Sequence, residues 1–550
     1  MLCFRSPMSD NTRETLAFEA LDQPLSPLFL DYLADRAPAT AFFGAEGFGL
    51  AAIARAAERT LTLARPSAAV AAALVAQQEA RSAGRAAEKA RALAEPQTVA
   101  IVTGQQAGLF GGPLYVLLKA ATTLELARRL EQERGRSVVP VFWVASDDHD
   151  FAEIRSVSVL DASGALRTLR YDPQREPLGA PAWAIPVDDS ISALTAELTG
   201  LLPAAPGRDE LLAAVADSYV AGETVSGAFC RFVSRLFPEL VVLDPADPAL
   251  KALARPVLER ELSEASPTSR LALETGSRLL AAGYHQQVPV RPGFLHLFLV
   301  AEGQRRALGL AGGGVEVRGT RERLSVEDAV RRLAAEPRAW SAGALLRPLV
   351  QDYLLPTAAY VGGPAEVAYH AQIGDVYAHF GIPRPVILPR PSVTIVEPQQ
   401  ARALDAEGLR LVDLVGDPEA LVSRWAREDY PEVEAAFAQA REAIERGLGQ
   451  VEQALSAQDP TLGGAAASAR GRALHPIEAL HEKALRALKK RDQGRAERLR
   501  RTRDALFPGG ALQERGLGLV SPLARHGLAL VELLRERLDL FARGHQVLRL

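Results

Sequence analysis

The chain has 550 residues, 48% of them apolar and 24% charged, with 63 basic against 67 acidic residues and a formal net charge of −4. At about 150 residues per domain this length points to three or four domains, and a chain of that size needs no disulfide or metal staple. The near balance of charge argues against a dedicated nucleic-acid binder, and two cysteines, Cys3 and Cys230, exclude a disulfide framework, an iron–sulfur cluster and a Cys-rich zinc site.

Few cysteines fit a reducing cytosol. The stretch Met1 to Asn11 lacks the apolar run of a signal peptide, and Met8 reads as an alternative start. No segment reaches the roughly 18 apolar residues of a membrane span. The expectation is a soluble, cytoplasmic protein with no membrane and no nucleic-acid partner.

Residues 1–94 read as a helical region that packs on a core. Gly49 to Ala94 is Ala-rich, and Pro66 divides it into two helices. Val99 to Val102 is a buried strand closed by Thr103 and Gly104, Pro113 to Leu130 is a helix, and Val138 to Ala145 is a second strand. Strand, glycine-rich loop, helix and strand make a right-handed βαβ unit of a parallel sheet, over residues 95–165. Residues 166–280 are a mixed, mostly helical part of the core or an insertion, with a strand candidate at Leu240 to Leu243. Residues 281–340 read as a small inserted β-containing segment with strands at Gln287 to Val300 and Gly314 to Val317. Residues 341–400 form the last part of the core: loop then helix over Arg347 to Phe380, then a strand at Pro385 to Leu388.

The final region, 401–550, reads as helical. Val433, Phe437, Ala440, Ile444, Leu448, Val451 and Leu455 recur at the spacing of a coiled-coil stripe. Asp459 to Gly464 is a turn signal, and a basic helix runs from about Ala473 to Leu506. The pattern is an antiparallel helical hairpin. Its first arm of about 28 residues would be roughly 40 Å long. The basic residues of the second arm, Lys489 to Arg503, read as a solvated face or as a place for an anion.

Three groups of residues could carry chemistry. The first is Thr103-Gly104-Gln105-Gln106-Ala107-Gly108-Leu109-Phe110-Gly111-Gly112-Pro113. Four glycines between a strand and a helix let backbone amides approach a ligand, and the helix start favours a phosphate or carboxylate. The plainer reading is a tight turn. Two adjacent glutamines weigh against it, because buried amides must bond to something. The second is Ser146-Asp147-Asp148-His149-Asp150, at the carboxyl end of the next strand, where open α/β sheets bind ligands. Crowded carboxylates each need a partner. That partner is a cation, an ammonium, a backbone donor or a metal, although no metal-ligand spacing is present. The third is Tyr360-Val361-Gly362-Gly363-Pro364-Ala365-Glu366, where a Gly-Gly turn opens a helix with an acid in its first turn. Arg390 and Ser392 follow the last strand and could reach an anion.

Resemblance enters at these residues. Thr103 to Leu109, Gly112-Pro113-Leu114-Tyr115, and Pro140-Val141-Phe142-Trp143-Val144-Ala145 followed by Asp148-His149-Asp150 resemble the cysteine ligase family of bacillithiol biosynthesis, BshC. Arg347-Pro348-Leu349, Gly363-Pro364-Ala365-Glu366, Pro389-Arg390, and Leu506-Phe507-Pro508 with Gln513-Glu514-Arg515 look like the same family. The likeness spans nearly the whole chain. Family members often carry Gly-Glu-Asp-His-Asp where this chain has the shorter acid of Ser146-Asp147-Asp148-His149-Asp150. The resemblance implies an α/β fold: a Rossmann-like parallel-sheet core with inserted connecting segments, plus a C-terminal α-helical coiled-coil hairpin domain used for homodimerisation. It also implies addition of cysteine to the amine of glucosaminyl-malate, the last step of bacillithiol assembly. A likeness to class I synthetases implies ATP, but their His-x-Gly-His and Lys-Met-Ser-Lys-Ser signatures are not here.

The leading expectation is therefore an ATP-using ligase with no metal. His149, Asp148, Gln105 and Gln106 are its candidate catalytic residues. Asp147, Asp150, Tyr360, Gly363, Glu366 and Arg390 are candidates for binding substrate. Thr103, Gly104, Gly108, Gly111, Gly112 and Ser392 are candidates for holding the nucleotide. Two alternatives stay open: a non-catalytic, nucleotide-binding dimeric scaffold of the pathway, and a metal-dependent hydrolase built on the Asp-His-Asp cluster.

Overall fold

The computed structural model describes residues 13–44, 47–491 and 493–550. Cys3, Met8 and the stretch around them lie outside the described residues. The chain divides into two compact units, one built mainly from Gln23–Ile395 and Leu512–Leu548, the other from Val396–Ala511. Residues 512–548 thus belong with the first unit rather than with the helical hairpin.

The first unit holds a five-stranded parallel sheet. Its strands in chain order are β1 (Val99–Gln105), β2 (Val138–Val144), β3 (Val241–Leu243), β4 (Thr357–Gly362) and β5 (Val386–Pro389). Across the sheet they run β5-β4-β1-β2-β3, every pair parallel. This is the Rossmann order, with the chain switching sides at β1. All residues of β2 and β4 are buried, as a sheet covered on both faces requires. Pro140 is tolerated inside β2 for a local reason. The Ala145 amide donates to Gln105 O in β1, so by the alternation of a strand the amide direction at position 140 is toward β3. There β3 has not begun, since its pairing starts at Val141.

The helix after β1 is Tyr115–Arg134, buried along most of its length and ended by Gly135 in the left-handed conformation. The region 49–94 holds three helices rather than two: Leu50–Thr60, Ser67–Ala80 and Gly84–Arg91. The expected loop and helix over 347–380 instead comprise helix Arg347–Leu354, strand β4, and helices Pro364–His370 and Gly374–Phe380.

The inserted segment is an antiparallel sheet of five strands, ordered Arg323–Leu324, Gly314–Val317, Gln304–Ala311, Phe294–Ala301 and Trp340–Ala342. The strand expected from Gln287 starts only at Phe294. Before it, Val288 is clamped by the Gln372 side chain, which accepts from its amide at 2.8 Å and donates to its carbonyl at 3.0 Å.

In the second unit, helices Pro431–Gln458 and Pro460–Arg491 form an antiparallel hairpin. Phe437 stacks on His481 at 4.5 Å, and Arg470 pairs with Glu452 at 2.5 Å. The second arm starts at Pro460, not near Ala473. The chain reverses at Asp459, whose carboxylate accepts from the Thr461 amide at 2.8 Å, and Gly463 and Gly464 are helical. The basic residues after it are largely neutralised within the unit: Arg495 by Glu407 at 2.5 Å and Arg500 by Glu419 at 2.6 Å. No helix among the described residues is long and apolar enough to cross a membrane.

Candidate functional site

The carboxyl ends of the five parallel strands open on one cavity of about 420 Å³. Gly104 to Gln106 enter it from β1, Asp147 and Asp148 from β2, Pro245 from β3, Gly363 to Glu366 from β4 and Arg390 from β5. Residues of the inserted sheet, Arg305 and Trp340 to Ala342, line it as well.

A buried ion pair ties β1 to β4. Lys119, on the helix after β1, is 1% exposed, and its ammonium sits 2.5 Å from Glu366. It also donates to Gly104 O at 2.7 Å and to Gln105 Oε1 at 2.9 Å. Glu366 takes two further bonds, from Tyr360 O–H at 2.5 Å and from the Gly363 amide at 2.7 Å. Burial alone would raise the Glu366 carboxyl; the Lys119 charge and these donors outweigh it and hold the group below its ordinary value. Burial pushes the Lys119 ammonium down, against the pull of Glu366. Gly104 is required here, because a Cβ would stand 2.8 Å from Trp143 O.

The second loop answers the carboxylate problem one acid at a time. Asp147 is neutralised by Lys251, whose ammonium lies 2.6 Å away and also donates to Trp340 O at 2.8 Å. Asp148 accepts from Gln106 Nε2 at 2.7 Å and from the His149 amide at 2.8 Å. Asp150 accepts from the Glu153 amide at 3.2 Å and so caps the short helix Phe151–Ile154. The two crossover loops therefore meet directly, at Gln106 and Asp148. His149 stands beside the cavity, its side chain 40% exposed. Its Nδ1 lies 3.3 Å from the Arg305 guanidinium. Burial, then the Arg305 charge, lowers its pKa.

Arg390 is buried and pairs with buried Glu514 at 2.7 Å, its guanidinium lying 5.3 Å from the Tyr115 ring centroid. Tyr115 accepts from Gln105 Nε2 at 3.2 Å. So Gln105, Gln106, Gly104, Asp147, Asp148, Tyr360, Gly363, Glu366 and Arg390 share one cavity.

The remaining expected residues lie elsewhere, each for a visible reason. Thr103 is buried in β1 and donates to Val361 O at 2.8 Å, tying two strands together. At Gly108, Gly111 and Gly112 the amides are turned to the protein itself and not to the cavity. The Gly108 amide donates to Gln106 O, that of Gly111 to Gly108 O and Tyr219 Oη, and that of Gly112 to Leu109 O. Gly111 has φ of +87°, and a Cβ there would stand 2.9 Å from both Leu519 and Phe232. These glycines serve close packing. Ser392 lies 2.8 Å from Nδ1 of buried His545, away from the cavity. Asp150 is a helix cap rather than a cavity wall.

Sequence reasoning did not name Lys119, Lys251, Arg305, Arg347 or Arg515 as site residues, yet all of them line the cavity. Lys119 leaves one trace, a lone charge among Leu117, Leu118, Ala120 and Ala121. Arg347 and Arg515 stand in stretches that carry the family likeness, and nothing local marks Lys251 or Arg305, which arrive from distant elements.

Comparison with known proteins gives a consistent picture. The family described as bacillithiol biosynthesis BshC, N-terminal Rossmann-like domain, matches residues 14–391, and the corresponding C-terminal coiled-coil domain matches residues 393–550. A protein of Koribacter versatilis named "Putative cysteine ligase BshC" is 37% identical over 438 residues, 79% of this chain and 81% of its own. One of the same name from Salinibacter ruber is 35% identical over 459 residues, 83% of each chain. Another, from Chlorobaculum tepidum, is 33% identical over 460 residues, 80% of each.

Proposed function

Because this chain belongs to the BshC family of bacillithiol biosynthesis, we propose that it is a ligase joining the carboxyl of cysteine to the amine of glucosaminyl-malate, the last step of that pathway, in the cytoplasm. The observation that carries the reading is the meeting of Gln106 and Asp148, 2.7 Å apart, above the carboxyl edge of the sheet. It puts an amide donor and a carboxylate in one cavity of a size for small substrates.

The division of charge supports roles for the acids. Asp147 is held by Lys251, whereas Asp148 has only neutral donors within 3 Å. Asp148 is thus the carboxylate free to receive an ammonium group and its proton. A guanidinium has no acceptor, so Arg305 donates to His149 Nδ1 and leaves the imidazole proton on Nε2. His149 then acts as a hydrogen-bond donor to developing negative charge, not as the first base.

A carboxylate is a poor acyl donor. ATP, when bound, supplies the activation, and amide formation expels AMP or phosphate as the amine gives up a proton. The amides of Gly108, Gly111 and Gly112 are already taken, so no part of this step is assigned to these glycines. Val451 and Leu480, left 46% and 54% exposed on the hairpin, favour pairing of two copies of the chain.

The test is turnover by the purified full-length protein with cysteine, glucosaminyl-malate and ATP. Product together with AMP supports adenylation; product with ADP supports phosphorylation. No product with any nucleoside triphosphate overturns the proposal.

A further inference from the structure

Six basic side chains line the cavity. Three are neutralised at short range: Lys119 by Glu366, Lys251 by Asp147 and Arg390 by Glu514, at 2.5, 2.6 and 2.7 Å. The other three, Arg305, Arg347 and Arg515, have no carboxylate within ion-pair distance among the described residues. A cation in a partly dry cavity without a counter-charge is costly; that applies to half-buried Arg305 and Arg347, and exposed Arg515 adds its charge to the same cavity, so the three together favour an anionic ligand.

The three differ in what their donors already do. Arg305 is occupied: it bonds Ser341 Oγ, Ala342 O and His149, and lies 3.7 Å over the Phe298 ring. Arg347 meets only neutral acceptors, Gln351 Oε1 at 2.9 Å and Tyr369 Oη at 3.3 Å. With five N–H donors on a guanidinium, three stay unassigned. Its position is fixed by the Trp143 and Tyr360 rings, 5.8 and 5.6 Å from its centre. Arg515 is exposed and has no side-chain hydrogen bond among the described residues. Both lie within electrostatic reach of Glu366, and Arg347 reaches it through the Tyr360 ring, whose O–H bonds that acid. Asp147 and Asp148, which enter from β2, act instead on Arg305.

We propose that Arg347, with Arg515 at the cavity mouth, is the anchor for a pair of anionic oxygen groups, taking the dicarboxylate arm of the acceptor while its amine lies toward Asp148. This rests on the ligase reading for the identity of the acceptor, but the subsite itself needs only a small dianion. Arg is the fitting residue, because its planar fork meets a carboxylate with two bonds.

Isothermal titration of the full-length protein separates the possibilities. The probes are L-malate, glucosaminyl-malate, its dimethyl ester and ATP, each against wild type, R347Q, R347K and R515Q. R347Q is expected to weaken both malate-bearing acids tenfold or more, R347K and R515Q by a few-fold. The dimethyl ester should bind weakly and be indifferent to R347Q, and ATP should be unaffected. Wild-type and R347Q affinities that agree for L-malate overturn the inference. So does a loss of ATP affinity in R347Q in place of a loss of acid affinity, which assigns the pair to phosphate oxygens. If R347Q fails to fold, R515Q decides, since that side chain is exposed. Malate binding that depends on Arg347 in a protein without ligase turnover keeps the subsite and removes the reaction. Turnover with no dependence on Arg347 does the reverse.

Discussion

Replacing Lys119 by Met tests whether the pair that joins β1 to β4 acts as one unit. The substitution keeps the bulk of the chain and removes an ammonium with three bonds, to Gly104 O, Gln105 Oε1 and Glu366. Breaking a buried pair by deleting one partner costs about 3–5 kcal/mol. Glu366 keeps the Tyr360 and Gly363 donors and is 21% exposed, so the lower end, about 3 kcal/mol, applies. Glu366→Gln should cost about 2 kcal/mol, because Lys119 retains two oxygen acceptors. The double variant has no stranded charge. It should therefore be less destabilised than the sum by about 2 kcal/mol, a coupling typical of groups in one network. Urea denaturation followed by fluorescence of Trp143 and Trp340, both in the first unit, gives the three values, and glucosaminyl-malate turnover is read on the same samples. Costs that add to within about 0.5 kcal/mol would show two independent side chains and refute the reasoning.

Other predictions follow from the same geometry. Asp148→Asn should lower turnover by roughly 100-fold or more, the usual range for a lost proton acceptor, with little change in KM for cysteine; steady-state kinetics that leave kcat intact would remove Asp148 from the reaction. His296 and His545 are buried, and burial brings each to about 4, from 6.5 when exposed. Between those values the unfolded chain binds protons that the folded chain does not, so stability is complete above about pH 6.5 and falls as pH drops toward 4. At pH 5 the loss is on the order of 2 kcal/mol for each imidazole, and a melting temperature that stays flat from pH 7 to 5 would contradict it. Gly111→Ala should destabilise the first unit by about 2–4 kcal/mol, through left-handed strain and a crowded Cβ. It should leave ATP affinity unchanged; a selective loss of nucleotide binding in a stable variant would restore the loop as a phosphate site.

What the sequence revealed depended on how many faces of an element are buried. β1 and β2 announce themselves because a strand covered on both sides must be apolar throughout, and Val138–Val144 is. β4 is just as buried, but Thr-Ala-Ala-Tyr-Val-Gly has small residues where bulk would mark a strand, and helices flank it closely. Gln304–Ala311 hides for the opposite reason: it is partly exposed and begins with Gln304, Arg305 and Arg306. That strand delivers Arg305 to His149. Gln106 and the Asp147-Asp148 pair could be found locally, since crowded polar groups after an apolar strand need partners. Lys251 could not, because it is an ordinary helical charge until the fold brings it 104 residues back to Asp147; Arg347 stands in a family-like stretch, but its place beside Trp143 is visible only in the fold.

The glycine-rich loop shows why a motif and a site can part company. Glycine reports that a backbone is bent or closely approached; it does not report by what. Here the close approach is made by Phe232, Leu519 and Tyr219, and that packing holds the end of β1 firmly enough to aim Gln105 and Gln106 at the cavity. The consequence is a division of labour. The loop fixes position, paired ions such as Lys119–Glu366 tie the cavity floor together, and the charges with no counter-charge at ion-pair distance among the described residues, Asp148 on one side of the balance and Arg347 with Arg515 on the other, are those available to a ligand. A molecule that carries an ammonium at one end and carboxylates at the other would satisfy both in a single orientation. Reversed, it would bring carboxylate to carboxylate and ammonium to guanidinium, so the cavity selects the direction of binding as well as the ligand.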